Sequence, residues 1–294
     1  MKKLSFEKNM IYDLISIGST TKDIFLLTDR GKIFKTPDDK LAPVWLGFEL
    51  GEKISIQEIV ESGGGVATNL SLGTKKLGLN SFPMGPAKPA ISVIIVDKRT
   101  GERIIFYQKS SGAVKLKSLR SKKTKYLSVS SLTGNWSRQA NEILAYKKKN
   151  KAKLIVAPST SMIRDGFSNL RKLLKNTEIL FLNKNEAIEI AVNDKVETSN
   201  VNNLIKFLHR LGPKIVCLTD GMKGAWASDG KNIFHSPIKK VKTIDVTGAG
   251  DAFAAGFLGV YIREKDIQKS LKMGISNSAS VVRHIGTTKG LLKK

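Results

Sequence analysis

The chain has 294 residues, 41% hydrophobic and 26% charged, which suits a globular chain with a large core and excludes a disordered one. Its longest apolar runs, such as residues 91–96, fall far short of a membrane span, and no signal-peptide pattern follows the two N-terminal lysines. The balance of 50 Lys+Arg against 25 Asp+Glu gives +25, but the basic residues are scattered, with short clusters at 115–125, 147–153 and 239–242. No aromatic residues interleave them, which disfavours a nucleic-acid surface and leaves a field that attracts anionic nucleotides. The single cysteine, Cys217, lies in a strand-like run; it excludes an internal disulfide and a zinc cluster, and points to a packing role and the cytoplasm.

Residues 12–18 form a buried opening strand that ends at a glycine. Short strand-like pieces follow at 24–27, 32–35 and 53–56, broken by Gly, Pro and Asp. The run Gly63-Gly64-Gly65 leads into a helical stretch over 66–77, closed by Gly78. Residues 90–97 and 103–108 flank a glycine-containing turn and predict a β-hairpin. Strands at 126–130, 153–157, 178–182 and 214–219 then alternate with helices at 137–150, 165–175 and 185–211, the last broken near Asn193. A second hairpin at 224–237 precedes helices at 249–263 and 266–284. Such alternation predicts an α/β fold: a doubly wound, mostly parallel sheet with helices on both faces. The early β pieces, over about 24–58 and 90–108, would pair into a small lid within one domain spanning 1–294. A ligand in such a fold sits beyond the carboxyl ends of the strands.

The most informative segment is Thr243-Ile-Asp-Val-Thr-Gly-Ala-Gly-Asp-Ala-Phe253. It reads as a short strand ending at Asp245, then a Gly-Ala-Gly turn opening a helix. The amides of Gly248, Ala249 and Gly250 would lie at the helix N-terminus, where they and the dipole favour anionic oxygens. Asp251 follows in the first turn. It suits that place as a plain N-terminal carboxylate, or as a base accepting a proton from an attacking hydroxyl.

The run DVTGAGDAFAAGF resembles the C-terminal signature of the ribokinase-like (PfkB-type) carbohydrate kinases. The resemblance implies Asp251 as catalytic base, and Gly248, Ala249 and Gly250 as the anion hole. Gly64-Gly65-Val-Ala-Thr-Asn69 is similar to the family's N-terminal signature, which implies that Gly64, Gly65 and Asn69 contact the acceptor's hydroxyls. Asp23, after the opening strand, matches its substrate-binding aspartate. Asn183-Lys-Asn-Glu186 resembles the N-x-x-E motif, implying that Glu186 organises a hydrated Mg²⁺ and that Asn183 lies near the nucleotide phosphates. The same four residues also read as a helix cap. Thr219, Gly221 and Gly224 match a T-x-G-x-x-G turn that supports ATP, and Asn277 is placed on the adenine side or in plain core packing. Asp245 and Thr247 correspond to positions that hold a monovalent cation in some members, making K⁺ a candidate.

The resemblance thus implies ATP-dependent phosphoryl transfer to a hydroxyl of a sugar or a nucleoside, with ATP and Mg²⁺, and a homodimer through the lid. Members usually carry a further strand, helix and strand after the first signature helix. Residues 77–89, with three prolines, run almost directly into the hairpin and cannot supply a whole β-α-β unit. Val66 stands where ribose kinases have a lysine, and Pro158-Ser-Thr160 follows a strand where relatives place a polar residue. Both argue against a strict ribokinase. Two other classes remain: a catalytically silent nucleotide-binding protein, suggested by the lost unit, and a nucleic-acid-binding protein, suggested by the charge.

Overall fold

The computed structural model describes residues 10–35, 44–100, 102–108, 114–132, 136–164, 166–196 and 198–294. Part of the expected lid, residues 36–43, the hairpin-turn residue Gly101 and Asp165 of an expected helix lie outside the described residues.

The chain opens with β1 (Ile11–Ile17), β2 (Thr21–Thr28), β3 (Lys32–Lys35), β4 (Val44–Gly47) and β5 (Glu58–Gly64), then α1 (Val66–Lys76) and β6 (Ser81–Met84). The hairpin follows as β7 (Ala90–Asp97) and β8 (Arg103–Gln108), then β9 (Lys123–Val129), α2 (Trp136–Asn150) and β10 (Lys153–Val156). Next come α3 (Thr160–Arg164), α4 (Phe167–Leu174), β11 (Thr177–Asn183), α5 (Lys184–Asn193) and α6 (Val201–Arg210). The last elements are β12 (Ile215–Thr219), β13 (Ala225–Ser228), β14 (Ile233–Ser236), α7 (Ala249–Glu264) and α8 (Ile267–Val281).

Eight strands form the main sheet in the order β14-β13-β12-β11-β10-β9-β1-β6. Pairing is parallel from β12 through β6, and β13 and β14 are added antiparallel. The parallel strands are apolar on both faces because both are covered. Leu14, Ile155, Ile179 and Ile215 pack toward Leu70 of α1, Phe253 and Phe257 of α7 and Leu271 of α8. Their chain neighbours Ile15, Leu154, Leu180 and Val216 point the other way, into side chains of α2 through α6. Each such fully buried aliphatic contributes roughly 1.5–3 kcal/mol over leaving it in water. Cys217 is buried in the first of these layers, and burial pushes its thiol well up, as a packing residue requires.

A second sheet, β5-β2-β7-β8, is built from the early β pieces and the hairpin, and β3 and β4 pair with each other. Its inner face carries Phe25, Leu27, Ile94 and Val96, packed with Ile285 of the main body.

Two local expectations need correction. Residues 53–56 form no strand; the strand is β5, which takes Gly63 and Gly64 into the small sheet. Residues 243–245 form no strand either, although the Ile244 and Asp245 amides are held by the Val282 carbonyl. The stretch before the hairpin, expected to hold no whole β-α-β unit, supplies one strand, β6, parallel to β1 and at the sheet's edge. Pro83 sits within it, and an edge position is where a strand tolerates a residue without an N–H.

Candidate functional site

The strand order reverses beside β1: β6 lies on one side, and β9 and its successors on the other. A crevice opens at the carboxyl ends of the strands at such a reversal. Here it is a cavity of about 300 Å³ whose wall includes Ser128, Ala157, Asn183, Glu186, Thr219, Gly250 and Asp251.

The turn before α7 shapes one wall. Gly248 is left-handed, with φ 76°, and a Cβ on it would lie 2.8 Å from Cβ of Thr287, so only glycine fits. The Ala249 N–H donates to the Val246 carbonyl at 3.2 Å, so of the three expected anion-hole amides this one closes the turn instead. Gly250 lines the cavity, and a Cβ there would meet no protein atom within 4 Å. It therefore leaves room at the positive end of a helix dipole for a ligand's oxygens.

Asp251 sits one residue further on, its carboxyl pushed up to about 6 by burial and pulled back in part by a hydrogen bond from Asn69. The Asn69 Nδ2 donates to Asp251 Oδ2 at 2.7 Å, and Asn69 Oδ1 accepts from the Thr287 hydroxyl at 2.9 Å. Asn69 is thus fixed at both ends of its amide, with its donor aimed at the carboxylate.

The other expected acceptor-side residues come together beside it. Asp23 of β2 lies against Gly64 of β5, where a Cβ would fall 1.9 Å from Asp23 Oδ2. Gly65 caps α1 with φ 87°, and a Cβ there would fall 2.5 Å from the Ser19 carbonyl oxygen. Asp23 is buried and is not part of the cavity wall.

On the opposite wall, Asn183 and Thr219 are register partners at the ends of β11 and β12. Asn183 caps α5 in a reciprocal box: its Oδ1 accepts the Glu186 N–H at 2.9 Å, and Glu186 Oε2 accepts the Asn183 N–H at 2.8 Å. The capping reading of these residues is therefore realised, and it holds Glu186 at the cavity wall. Burial pushes the Glu186 carboxyl up against the pull of that N–H, and the charges of Glu189 and Asp251 add to the rise. Among the described residues no cluster of three or more His, Cys, Asp or Glu forms a metal cage. One carboxylate with a free oxygen, beside two other acids, suits an ion held mainly by water and phosphates, as Mg²⁺ is.

Gly221 and Gly224 flank a short 3₁₀ turn after β12, and the Asp220 N–H donates to the Gly224 carbonyl at 2.9 Å. Asn277 does not reach the cavity. It is fully buried, its Nδ2 donating to the Ala252 carbonyl at 2.7 Å and its Oδ1 accepting from the Leu292 N–H at 2.9 Å, so it belongs to the packing of α7 against α8.

Asp245 and Thr247 are also committed to protein. Asp245 Oδ1 accepts from the Thr247 N–H at 2.9 Å and its hydroxyl at 2.6 Å, and Oδ2 accepts from the Gly286 N–H at 3.1 Å. Arg103 of β8 brings its guanidinium to 3.6 Å from Oδ1. This donor set, already holding a cation, does not fit K⁺.

Sequence reasoning missed Thr287, Arg103 and Ser128. Thr287 and Arg103 act on residues far along the chain and carry no local motif. Ser128 lines the cavity with a buried hydroxyl that has no hydrogen-bond partner among the described residues, a signal only the fold reveals.

Among the described residues no helix is long and apolar enough to cross a membrane. Residues 83–294 match the model of the pfkB family carbohydrate kinases. A cytidine kinase of Thermococcus kodakarensis is 34% identical over 119 residues, 40% of this chain and 41% of that protein. The chain spans about half or less of the length of the curated relatives it matches. The fold is shared over nearly its whole length with the nucleoside kinase of Methanocaldococcus jannaschii, described as an archaeal member of the ribokinase family (TM-score 0.69, 20% identity, 96% of each chain). It is shared equally with an Arabidopsis thaliana ribokinase complexed with ribose and ATP (TM-score 0.69, 17% identity, 97% of this chain and 96% of that one). The architecture is thus ribokinase-like, and the chain belongs to the pfkB family of carbohydrate kinases.

Proposed function

We propose that this protein transfers the terminal phosphoryl group of ATP to a hydroxyl of a sugar or nucleoside, within one domain whose small sheet is the lid. The observation that carries the reading is the Asp251 carboxylate, half-buried in the cavity wall beside Gly250 at the start of α7 and oriented by Asn69. Asp251 takes the proton of the acceptor hydroxyl; the oxygen bonds to phosphorus as the bond to the departing ADP breaks. The free amides at Gly248 and Gly250 hold the oxygens of the transferred group, and Ala249 keeps the turn that presents them. Glu186 would hold a hydrated Mg²⁺, which would supply neutralising charge at the phosphates. Asn183, Thr219, Gly221 and Gly224 flank the nucleotide. Asp23, Gly64 and Gly65 orient the acceptor, and Asn69 orients the base as well. The cytoplasm, with its ATP, is the compartment this reading assigns.

The lid's outer face supports a homodimer. Ile24, Val93 and Phe106 lie in one cross-strand row, with Leu26, Ile95 and Ile104 in the next along that face. Phe106 is 57% exposed. Sedimentation should give a dimer that Phe106→Glu converts to monomer; a monomeric wild type would remove the dimer from the reading.

The test of function is coupled ADP release with Mg-ATP across sugars, sugar phosphates and nucleosides, for the wild type and Asp251→Asn. Turnover on one class, lost in the variant, is the expected result. Silence across the panel in a folded protein that still binds ATP would favour the catalytically silent reading. A nucleic-acid reading has one feature in its favour: a concavity of about 720 Å³ at the opposite end of the sheet, where six of eleven lining residues are lysines. It requires salt-sensitive binding to DNA or RNA that Asp251→Asn leaves unchanged.

A further inference from the structure

Arg103 opens strand β8 of the small sheet, in register with Val96, yet its guanidinium reaches the main body at Asp245. Both side chains are withdrawn from water, Arg103 to 25% exposure and Asp245 to 2%. A carboxylate so buried is tolerable only when it is paired and fully hydrogen-bonded. Asp245 meets that demand with three donors from its own surroundings and one cation from the lid. Its partners lead to the chemistry in two directions. Thr247 is bound to Oδ1 and immediately precedes Gly248, the left-handed residue that opens α7. Gly286 is bound to Oδ2 and immediately precedes Thr287, which holds Asn69, which holds Asp251.

We propose that Arg103 is a positioning residue that supplies the positive charge for the Asp245–Thr247 turn, so that the anion hole and the base are set by the lid and need no monovalent cation. The proposal rests, for its effect on turnover, on the kinase reading above. Oδ1 already takes two donors and the guanidinium, Oδ2 takes the Gly286 N–H, and the positive charge 3.6 Å from Oδ1 opposes a second cation at this carboxylate. The relation also makes assembly of the site conditional on the lid strand being in place.

The experiment compares the wild type, Arg103→Met and Arg103→Lys in chloride salts of potassium, sodium and tetramethylammonium. Two quantities are measured: steady-state rates on whichever acceptor of the panel turns over, and melting temperature without substrates. The wild type should show the same rates and melting temperature in all three salts. In tetramethylammonium, Arg103→Met should lose roughly tenfold to a hundredfold in kcat with little change in KM for the acceptor. Potassium should restore part of that loss and raise the variant's melting temperature, and Arg103→Lys should stay near wild type. Activation of the wild type by potassium would overturn the proposal. So would a loss confined to KM for the acceptor, which would make Arg103 a substrate contact. If no acceptor turns over, the kinase reading fails, and the melting temperatures still decide the role of Arg103. If Arg103→Met does not fold, the wild-type salt comparison and Arg103→Lys decide it.

Discussion

The Asn69 amide donates a 2.7 Å hydrogen bond to the Asp251 carboxylate across 182 residues of sequence. It joins the helix that follows the small sheet to the helix that opens at the glycine turn, and it opposes the burial that pushes Asp251 up to about 6. A base must be ionised to accept a proton. kcat/KM should therefore rise with pH through about 6 and level off above it. Asn69→Ala removes the bond that favours the charged form, so its acid limb should lie at higher pH. A pH–rate profile for both proteins checks this; coincident acid limbs would refute the role given to Asn69.

The same burial has a cost in stability. The folded-state value lies above the ordinary 3.8, so the contribution is fully present below 3.8 and lost as pH rises through about 6. At about 1.4 kcal/mol per pH unit the loss is roughly 3 kcal/mol. Asp251→Asn should melt a few degrees above wild type at pH 8. The gap should close toward pH 4, where the wild-type carboxyl is neutral. Thermal unfolding at the two pH values reads this directly, and an unchanged gap would mean the carboxylate is better solvated than its burial implies.

Glu186→Gln separates two roles held by one side chain. Glutamine can still accept the Asn183 N–H and keep the reciprocal cap, so melting should shift by less than about 1 kcal/mol. The apparent Mg²⁺ requirement should rise and kcat should fall at low Mg²⁺. A titration of rate against Mg²⁺, with melting curves alongside, makes the comparison; equal Mg²⁺ curves would leave Glu186 with capping alone.

The two glycines of the turn should respond in opposite ways. Gly250→Ala adds a methyl where no protein atom stands within 4 Å, so the fold should be unaffected while ADP and ATP bind more weakly. Gly248→Ala adds strain at φ 76° and a contact with Thr287, and should destabilise by about 1–3 kcal/mol. Calorimetric nucleotide titration and thermal unfolding together test the pair. Unimpaired binding by Gly250→Ala would move the phosphate site elsewhere.

Much of this architecture is legible in local pattern. The hairpin at 90–97 and 103–108 is found to the residue, because β-branched residues on both arms and a glycine turn need no distant partner. Strand β6 was hidden, because Pro83 and three flanking Gly and Pro residues resemble a loop until β1 offers a partner. At the site, Asp251 and Gly250 are visible through their spacing at a helix start. Thr287 and Arg103 are not, because their meaning comes from residues 218 and 142 positions away, which only the folded chain brings near. Asn183 and Glu186 show a third case: the local reading as a cap and the distant reading as a wall of the cavity are both compatible with one geometry.

The links between the two sheets have a mechanical consequence. Of the four crossings, three lie together within the described residues: residues 18–20 between β1 and β2, Gly65 between β5 and α1, and residues 85–89 between β6 and β7. The Ala67 N–H donates to the Ser19 carbonyl at 3.1 Å, the Ala90 N–H to the Thr20 carbonyl at 2.9 Å, and a Cβ on Gly85 would strike the Thr20 side chain. They tie the small sheet to the main one at a single end of the small sheet. Arg103 pairs near the far end of β7, about 20 Å away along the strand. It is the latch. Over that lever arm a rotation of about 10° carries the guanidinium roughly 3 Å, enough to part it from Asp245. Were the small sheet to turn about these crossings, its far edge at Arg103 would part first while the crossings kept their bonds.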